Sequence, residues 1–404
     1  MDNTNDFFET RRLIAEAVNP LQPEHVLLSG CIGRVLYKDH IAGENIPPFD
    51  RSPLDGYAFC SYDVISASEN SPAILEILEE IPAGGVPHVS LTGKTAVKIL
   101  TGAPVPPGAD AVSKYEETEF TEKYVKIFRP FKAGENIIPA GDDVRAGEIL
   151  ASAGDVIDPA VAGTLASQGV ASPFVYRKPL AGIISTGNEI VEVDRPVGNG
   201  KIRNSNRYTL EAACKKLGCD TVFIGIARDS ATEIAALIMK GLSDCDIIFL
   251  TGGVSVGDYD MTPAALEMIG AKTLVRNVSL KPGGACVYGL KNDVLICGLS
   301  GNPASSMTNF YALASSAIKR LCGRREYIPR EITLALAEDY PHKNSQFRLV
   351  RGILDLSDGT VRMHIPKDRR NAVLRSLIGC DVMAIVPPDK DNLSKGSLLK
   401  GFLI

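Results

Sequence analysis

Residues 246–260 read Asp246-Ile247-Ile248-Phe249-Leu250-Thr251-Gly252-Gly253-Val254-Ser255-Val256-Gly257-Asp258-Tyr259-Asp260. An apolar run of strand length ends in a glycine-containing loop, and a helical pattern over 262–269 follows. The same order recurs on either side. A strand over 180–185 runs into Ser185-Thr186-Gly187-Asn188-Glu189, ahead of a helix over 206–217 with Leu210, Ala213, Cys214 and Leu217 on one side. A strand over 221–227 leads to a helix over 231–242. A strand over 294–299 runs into Gly298-Leu299-Ser300-Gly301-Asn302-Pro303, where proline opens a helix over 303–321. Strands alternating with helices predict an α/β domain whose parallel sheet is covered on both faces.

The chain has 404 residues, which predicts two to four domains at roughly 150 residues each. Asn5 or Asp6 caps a first helix that sets Leu13, Ile14, Ala17 and Val18 on one face, and Asn19-Pro20 stops it. From 24 to 140, short β-forming runs (73–78, 96–100, 124–128) alternate with turns such as Pro82-Ala83-Gly84-Gly85 and Pro106-Pro107-Gly108, predicting a mostly β region with long loops. Gly323 and Pro329 mark a boundary. Beyond them, runs over 331–337, 347–354 and 381–386 predict a small β-barrel or sandwich.

Composition removes several classes. Apolar residues are 45% and charged residues 23%, as in an ordinary soluble chain. Net charge is −5, no long Lys/Arg cluster stands out and Trp is absent, which disfavours nucleic acid and acidic membranes as partners. No apolar run approaches the roughly 18 residues of a membrane helix. The polar, acidic start Met1-Asp2-Asn3-Thr4-Asn5-Asp6 is unlike a secretory signal. Nine scattered cysteines without a Cys-x-x-Cys fit reduced, buried thiols in a cytoplasm.

Ligands of open α/β sheets bind beyond the carboxyl ends of the strands. The three glycine loops, with Ser185, Thr186, Gly187, Gly252, Gly253, Ser255, Gly257, Ser300, Gly301, Asn302 and Pro303, are expected on one edge, where backbone amides can face an anion. The helix from Pro303 adds its positive end. Glu189, Asp258, Asp260 and Asp229 bring carboxylates to the same edge, and a hard cation such as Mg²⁺ reconciles them with a phosphate. Asp229 also reads as a helix cap before Ser230-Ala231. Lys281-Pro282-Gly283-Gly284 suits an oxyanion or a solvated turn. Asp55-Gly56, in Pro47-Pro48-Phe49-Asp50-Arg51-Ser52-Pro53-Leu54-Asp55-Gly56-Tyr57-Ala58, reads either as a functional segment or as a hairpin turn. Other motifs fail: Gly93-Lys94-Thr95 lacks its upstream glycine, the polar stretch after Ser255 does not suit a hydrolase elbow, and no clustered Cys/His supports zinc.

Taken together, the ordered segments 47–58, Thr101-Gly102-Ala103-Pro104-Val105-Pro106, Gly134-Glu135-Asn136-Ile137, the three loops and the terminal β region resemble the molybdopterin molybdenumtransferase family, to which the C-terminal part of gephyrin also belongs. The resemblance covers nearly the whole chain. It implies an elongated, discontinuous first domain (1–45 and 143–175), an inserted β domain (46–142), an α/β molybdopterin-binding domain with a parallel or mixed sheet (176–326) and a C-terminal β-barrel (327–404). It also implies a homodimer in which the Asp55 segment completes a neighbour's cleft. The implied reaction takes adenylylated molybdopterin and molybdate, inserts the metal at the dithiolene and releases AMP with Mg²⁺ present. The adenylylating enzyme and molybdoenzyme acceptors are the implied partners. Asp55, Thr101, Asp143, Glu189, Asp229, Asp258 and Asp260 fall on the family's functional positions. Glu189, Asp229 and Asp260 are implied to hold Mg²⁺ or the pterin, Asp55 and Thr101 to orient the phosphate or metal-oxo end, and Lys281 with the 300–303 loop to hold an anion.

Three places depart from the family pattern. Gly284-Ala285 stands where Lys-Pro is usual, Ser300 where proline is usual, and Pro366-Lys367-Asp368-Arg369-Arg370-Asn371 where a Gly-Gln-Gly-Ser segment is usual. Losing one charge-assisted contact costs on the order of 1.5–3 kcal/mol of oxyanion binding. The arginines compensate, or the anion differs, with tungstate the obvious candidate. A non-catalytic scaffold that binds molybdopterin, and the adenylylating activity of related α/β domains, are the competing functional readings.

Overall fold

The computed structural model describes residues 6–254, 261–343, 345–357, 359–368, 370, 372–388 and 390–404. The chain forms two compact units. The first comprises Met1–Lys38, Ala153–Asp158 and Ser172–Ile404; the second comprises Asp39–Ser152 and Pro159–Ala171.

The first unit is built on a six-stranded sheet in the order Asp220–Ala227, Leu180–Thr186, Ile247–Thr251, Val294–Leu299, Val287–Lys291, Lys272–Arg276. The first four strands run parallel. Alternate residues of the central strands feed two cores: Ile247 and Phe249 join one, Ile248 and Leu250 the other. Helix Ser205–Lys216 packs Leu210, Ala213 and Cys214 into the first core, and Ala231–Gly241 packs Ile234, Ala235 and Ile238 into the second. Both faces of the sheet are thereby covered, which is why its strands read as unbroken apolar runs.

Of the parallel and mixed alternatives, the sheet takes the mixed one. Lys272–Arg276 and Val287–Lys291 pair antiparallel and make the sheet mixed. No helix separates these two strands, so the alternating rhythm that exposed the others is missing there. Leu180–Thr186 lies between the second and third strands of its series, and the helices after it fall on opposite faces. That arrangement is a topological switch point, with a crevice beyond the strand ends.

The first helix, Phe7–Glu16, starts at Asp6, whose Oδ1 accepts from the amides of Phe8 (2.8 Å) and Glu9 (3.2 Å). Of the expected face, Ile14 and Val18 are buried and Leu13 is 44% exposed; Phe7 and Arg11 are buried beside them. Arg11 is the unexpected member of this face. Its guanidinium lies 4.4 Å from the Phe7 ring centroid and 4.8 Å from that of Phe402, and its Nε donates to the Ala312 carbonyl at 2.6 Å. Burial pulls this group down to about 10. The long helix expected over 303–321 is continuous but contains a π-helical turn, Phe310–Ala314, between Pro303–Asn309 and Ser315–Leu321.

After it, Phe347–Asp355, Arg362–His364, Ile332–Leu336, Leu398–Leu403 and Val382–Val386 pair in a ring that closes on Phe347–Asp355. A barrel, not a sandwich, ends the chain. Seven of the nine cysteines are buried, and Cys60 and Cys380 are partly so. Burial pushes the Cys214, Cys286 and Cys297 thiols up. No helix among the described residues is long and apolar enough to cross a membrane.

The second unit carries a sheet in the order Ala111–Lys114, Gly56–Phe59, Thr95–Ile99, Ala73–Ile81, Tyr124–Ile127, Thr118–Phe120, and a ribbon of His40–Ile41 with Ile149–Ala151. The hairpin-turn reading of Asp55-Gly56 is overturned. Gly56 already belongs to an inner strand, opposite Ile99 on one side and Lys114 on the other. A Cβ there would lie 1.8 Å from the Ser113 carbonyl oxygen, so only glycine lets these strands approach.

Two outcomes follow for stability. Gly56→Ala forces the inner strands apart and lowers stability by about 3 kcal/mol or more, measured by chemical denaturation. In the barrel, His364 places Nδ1 2.8 Å from Glu338 and Nε2 3.4 Å from Asp355. The bond to Glu338, then that to Asp355, raises the imidazole above its ordinary value. A raised folded-state value contributes stability below the unfolded value of about 6.5, and that contribution is lost as pH rises through the folded value. The melting-temperature difference between wild type and His364→Gln is therefore larger at pH 6 than at pH 9.

Candidate functional site

At the switch point lies a cavity of about 690 Å³. Its walls are Thr186, Gly187, Glu189 and Ile190 after one strand, Thr251, Gly252, Gly253 and Val254 after the next, and Ser300, Gly301, Asn302 and Pro303 after the third. Hydrogen bonds lace these ends together. Thr186 Oγ1 donates to the Thr251 carbonyl at 3.1 Å, Gly187 N–H to the Ala227 carbonyl at 3.1 Å, and Gly252 N–H to the Leu299 carbonyl at 3.0 Å. Asn206 Nδ2 ties in the third loop through the Gly301 carbonyl at 2.8 Å.

Behind this wall, buried Ser185 does not line the cavity. Its hydroxyl donates to Asn204 Oδ1 at 2.9 Å, and Asn204 Nδ2 donates to Glu192 at 3.0 Å. Arg207 bridges Glu192 and Glu211 at 2.8 Å each. This chain fixes the start of helix Ser205–Lys216, whose N-cap is Asn204. Its positive end and that of the helix from Pro303 both stand at the cavity wall.

Among the described residues, two carboxylates line the cavity, Glu189 and Asp229. The cap of the following helix is Ser230, whose hydroxyl accepts from the Glu233 amide at 3.4 Å. Asp229 is therefore not the cap. Its Oδ2 accepts from the Asn188 amide at 3.3 Å, on the loop that carries Glu189. Ser255, Gly257, Asp258 and Asp260 lie outside the described residues.

Lys281 does not line the cavity. It is exposed in the short strand Leu280–Lys281, opposite Arg348 of the barrel. The turn after it is held by the long helix: Asn309 Nδ2 donates to the Gly283 carbonyl at 2.6 Å, and Tyr288 hydroxyl donates to Asn309 Oδ1. Gly284 has no room for a side chain, since a Cβ would meet the Leu280 and Val278 carbonyl oxygens at 2.4 and 2.6 Å. Ser300 turns its hydroxyl to the Asn302 amide at 3.3 Å. Arg370 pairs with Asp368 at 2.7 Å and depresses that carboxyl to about 2, and Ala372 just beyond lines the cavity.

In the second unit, Asp55 and Thr101 are brought together. Asp55 Oδ1 accepts from Thr101 N–H at 2.7 Å and Thr101 hydroxyl at 2.8 Å, and these bonds hold the carboxyl below its ordinary value. Asp143 is exposed, and its amide donates to the Ile46 carbonyl at 3.0 Å. Sequence reading missed Ile202, Arg203, Asn204, Ser205 and Asn206, all of which line the cavity. The signal was the Asn-Ser-Asn run just before the expected helix, a capping pattern on the same edge as the glycine loops.

Such a switch-point crevice, with glycine loops and helix starts, is the usual ligand site of an open α/β domain. Residues 182–320 match the family model described as "Probable molybdopterin binding domain", and residues 6–169 match "MoeA N-terminal region (domain I and II)". The chain is 34% identical over 95% of its length to the molybdopterin molybdenumtransferase of Bacillus subtilis (strain 168), covering 90% of that protein. It is 31% identical over 96% of its length to one from Staphylococcus epidermidis, covering 94% of it. A crystal structure of a molybdopterin biosynthesis MoeA protein from Pyrococcus horikoshii OT3 superposes with a TM-score of 0.85 at 28% identity, covering 99% of both chains. The chain belongs to the molybdopterin molybdenumtransferase family.

The tight turn at 284 can be tested directly. Gly284→Lys lowers the melting temperature by several degrees, because two backbone carbonyls block the new Cβ.

Proposed function

We propose that the chain is a transferase of molybdenum cofactor biosynthesis that inserts molybdate into adenylylated molybdopterin and releases AMP. The observation that carries this reading is the cavity, where laced glycine loops and two helix starts stand beside Glu189 and Asp229. Backbone amides at such ends suit a phosphoanhydride. Two carboxylates alone would repel it.

The donor set fits Mg²⁺, which takes one or two carboxylates together with ligand phosphates and water. Among the described residues no group of three or more His, Cys, Asp or Glu could hold a metal; in this reading the ligand's own oxygens would complete the set. Glu189 and Asp229 would hold the ion, which when bound screens the phosphate charge and polarises its oxygens. Asp260 is proposed as a further donor on the strength of the resemblance. The Asn204–Glu192–Arg207 chain keeps the wall rigid while the ligand is held. No protein nucleophile is needed, because positioning and electrostatics suffice for such a transfer. In this reading the working form is a cytoplasmic homodimer, with the Asp55 segment of one copy serving the cavity of the other.

Glu189→Gln leaves the protein folded but reduces AMP release from adenylylated molybdopterin by on the order of 100-fold or more. The assay is nucleotide release with molybdate and, in parallel, with tungstate. Unchanged turnover in the variant contradicts the assignment. Tight pterin binding by wild type without any nucleotide release favours a scaffold instead.

A further inference from the structure

Among the described residues lining the cavity, Arg203 is the one cation. It sits in the two-residue strand Ile202–Arg203, which runs parallel to Ile190–Val191. Backbone bonds on both sides clamp it to the loop of Glu189: Ile202 N–H donates to the Glu189 carbonyl at 2.9 Å, and Asn204 N–H to the Val191 carbonyl at 2.8 Å. The next residue is Asn204, the cap of helix Ser205–Lys216. The guanidinium is tethered by Nε, which donates to the Val193 carbonyl at 3.3 Å. Its two terminal nitrogens make no ion pair with a described residue, although Glu189 and Asp229 line the same cavity. The other cations close in sequence are committed or elsewhere. Lys201 donates to the Asn188 carbonyl at 2.5 Å, and Lys281 does not line the cavity.

We propose that Arg203 is the phosphate-binding side chain of this cavity and sets its preference for a phosphorylated nucleoside over the nucleoside itself. The proposal rests on the insertion reading above and deepens it. A guanidinium fixed at Nε presents a planar pair of donors that matches two oxygens of one phosphoryl group. The helix start beside it adds partial positive charge on the same side. Glu189 and Asp229 then serve the cation, and Arg203 serves the anion, so the opposed charges in the cavity have separate tasks.

Calorimetric titration of the full chain with AMP, adenosine and inorganic phosphate, in the presence of Mg²⁺, tests this. Arg203→Ala weakens AMP about 10- to 100-fold and leaves adenosine unchanged. Arg203→Lys, which keeps the charge but not the fork, falls between the two. Added salt weakens AMP binding more steeply in wild type than in Arg203→Ala. The side chain is exposed, so melting temperatures of the variants should match wild type. AMP binding by Arg203→Ala equal to that of wild type overturns the assignment while leaving the insertion reading intact. Failure of wild type to bind AMP at all overturns both.

Discussion

The cavity depends on how the carboxyl ends of the parallel strands are held to one another. Thr186, Gly187 and Gly252 bond across to Thr251, Ala227 and Leu299, so three loops that are distant in sequence become one surface. The strands beneath are buried on both faces and cannot shift without opening two cores. Rigid scaffold and adaptable rim are therefore separated by a single row of hydrogen bonds.

The α/β unit was legible because its strands are short apolar runs followed by glycine, and its helices carry clear caps. The antiparallel pair Lys272–Arg276 and Val287–Lys291 was not, because no helix intervenes to set the rhythm. On the first helix Ile14 and Val18 are buried as expected, but Arg11, which reads as a surface residue, is buried with them. Only tertiary contacts with Phe7 and Phe402 show that its cationic head is at home inside. The terminal barrel could be suspected from alternation, but closure depends on Arg362–His364 and on a return pairing of Val382–Val386 with Phe347–Asp355, which sequence spacing does not reveal.

The site was legible where chemistry sits at strand ends and illegible where it arrives from the side. Glu189 and Asp229 follow strands directly. Arg203 sits in a two-residue strand too short to leave a pattern. Asp229 next to Ser230 was ambiguous because both are good capping residues, and the decision lies in which side chain reaches the Glu233 amide. Lys281 shows the opposite error: a cation beside a glycine turn suggests an anion site, yet its backbone is recruited to the edge of the barrel.

The disposition of sulfur in this protein has a consequence for handling transition metals. Soft thiolates compete strongly for such ions, and they must be deprotonated to do so. Here no described cysteine lines the cavity, and the thiols of Cys214, Cys286 and Cys297 are walled in and kept protonated by their apolar surroundings. A guest that brings its own sulfur would meet only oxygen and nitrogen at this surface. Among the described residues, none of these three thiols would compete at the cavity for a metal bound by such a guest.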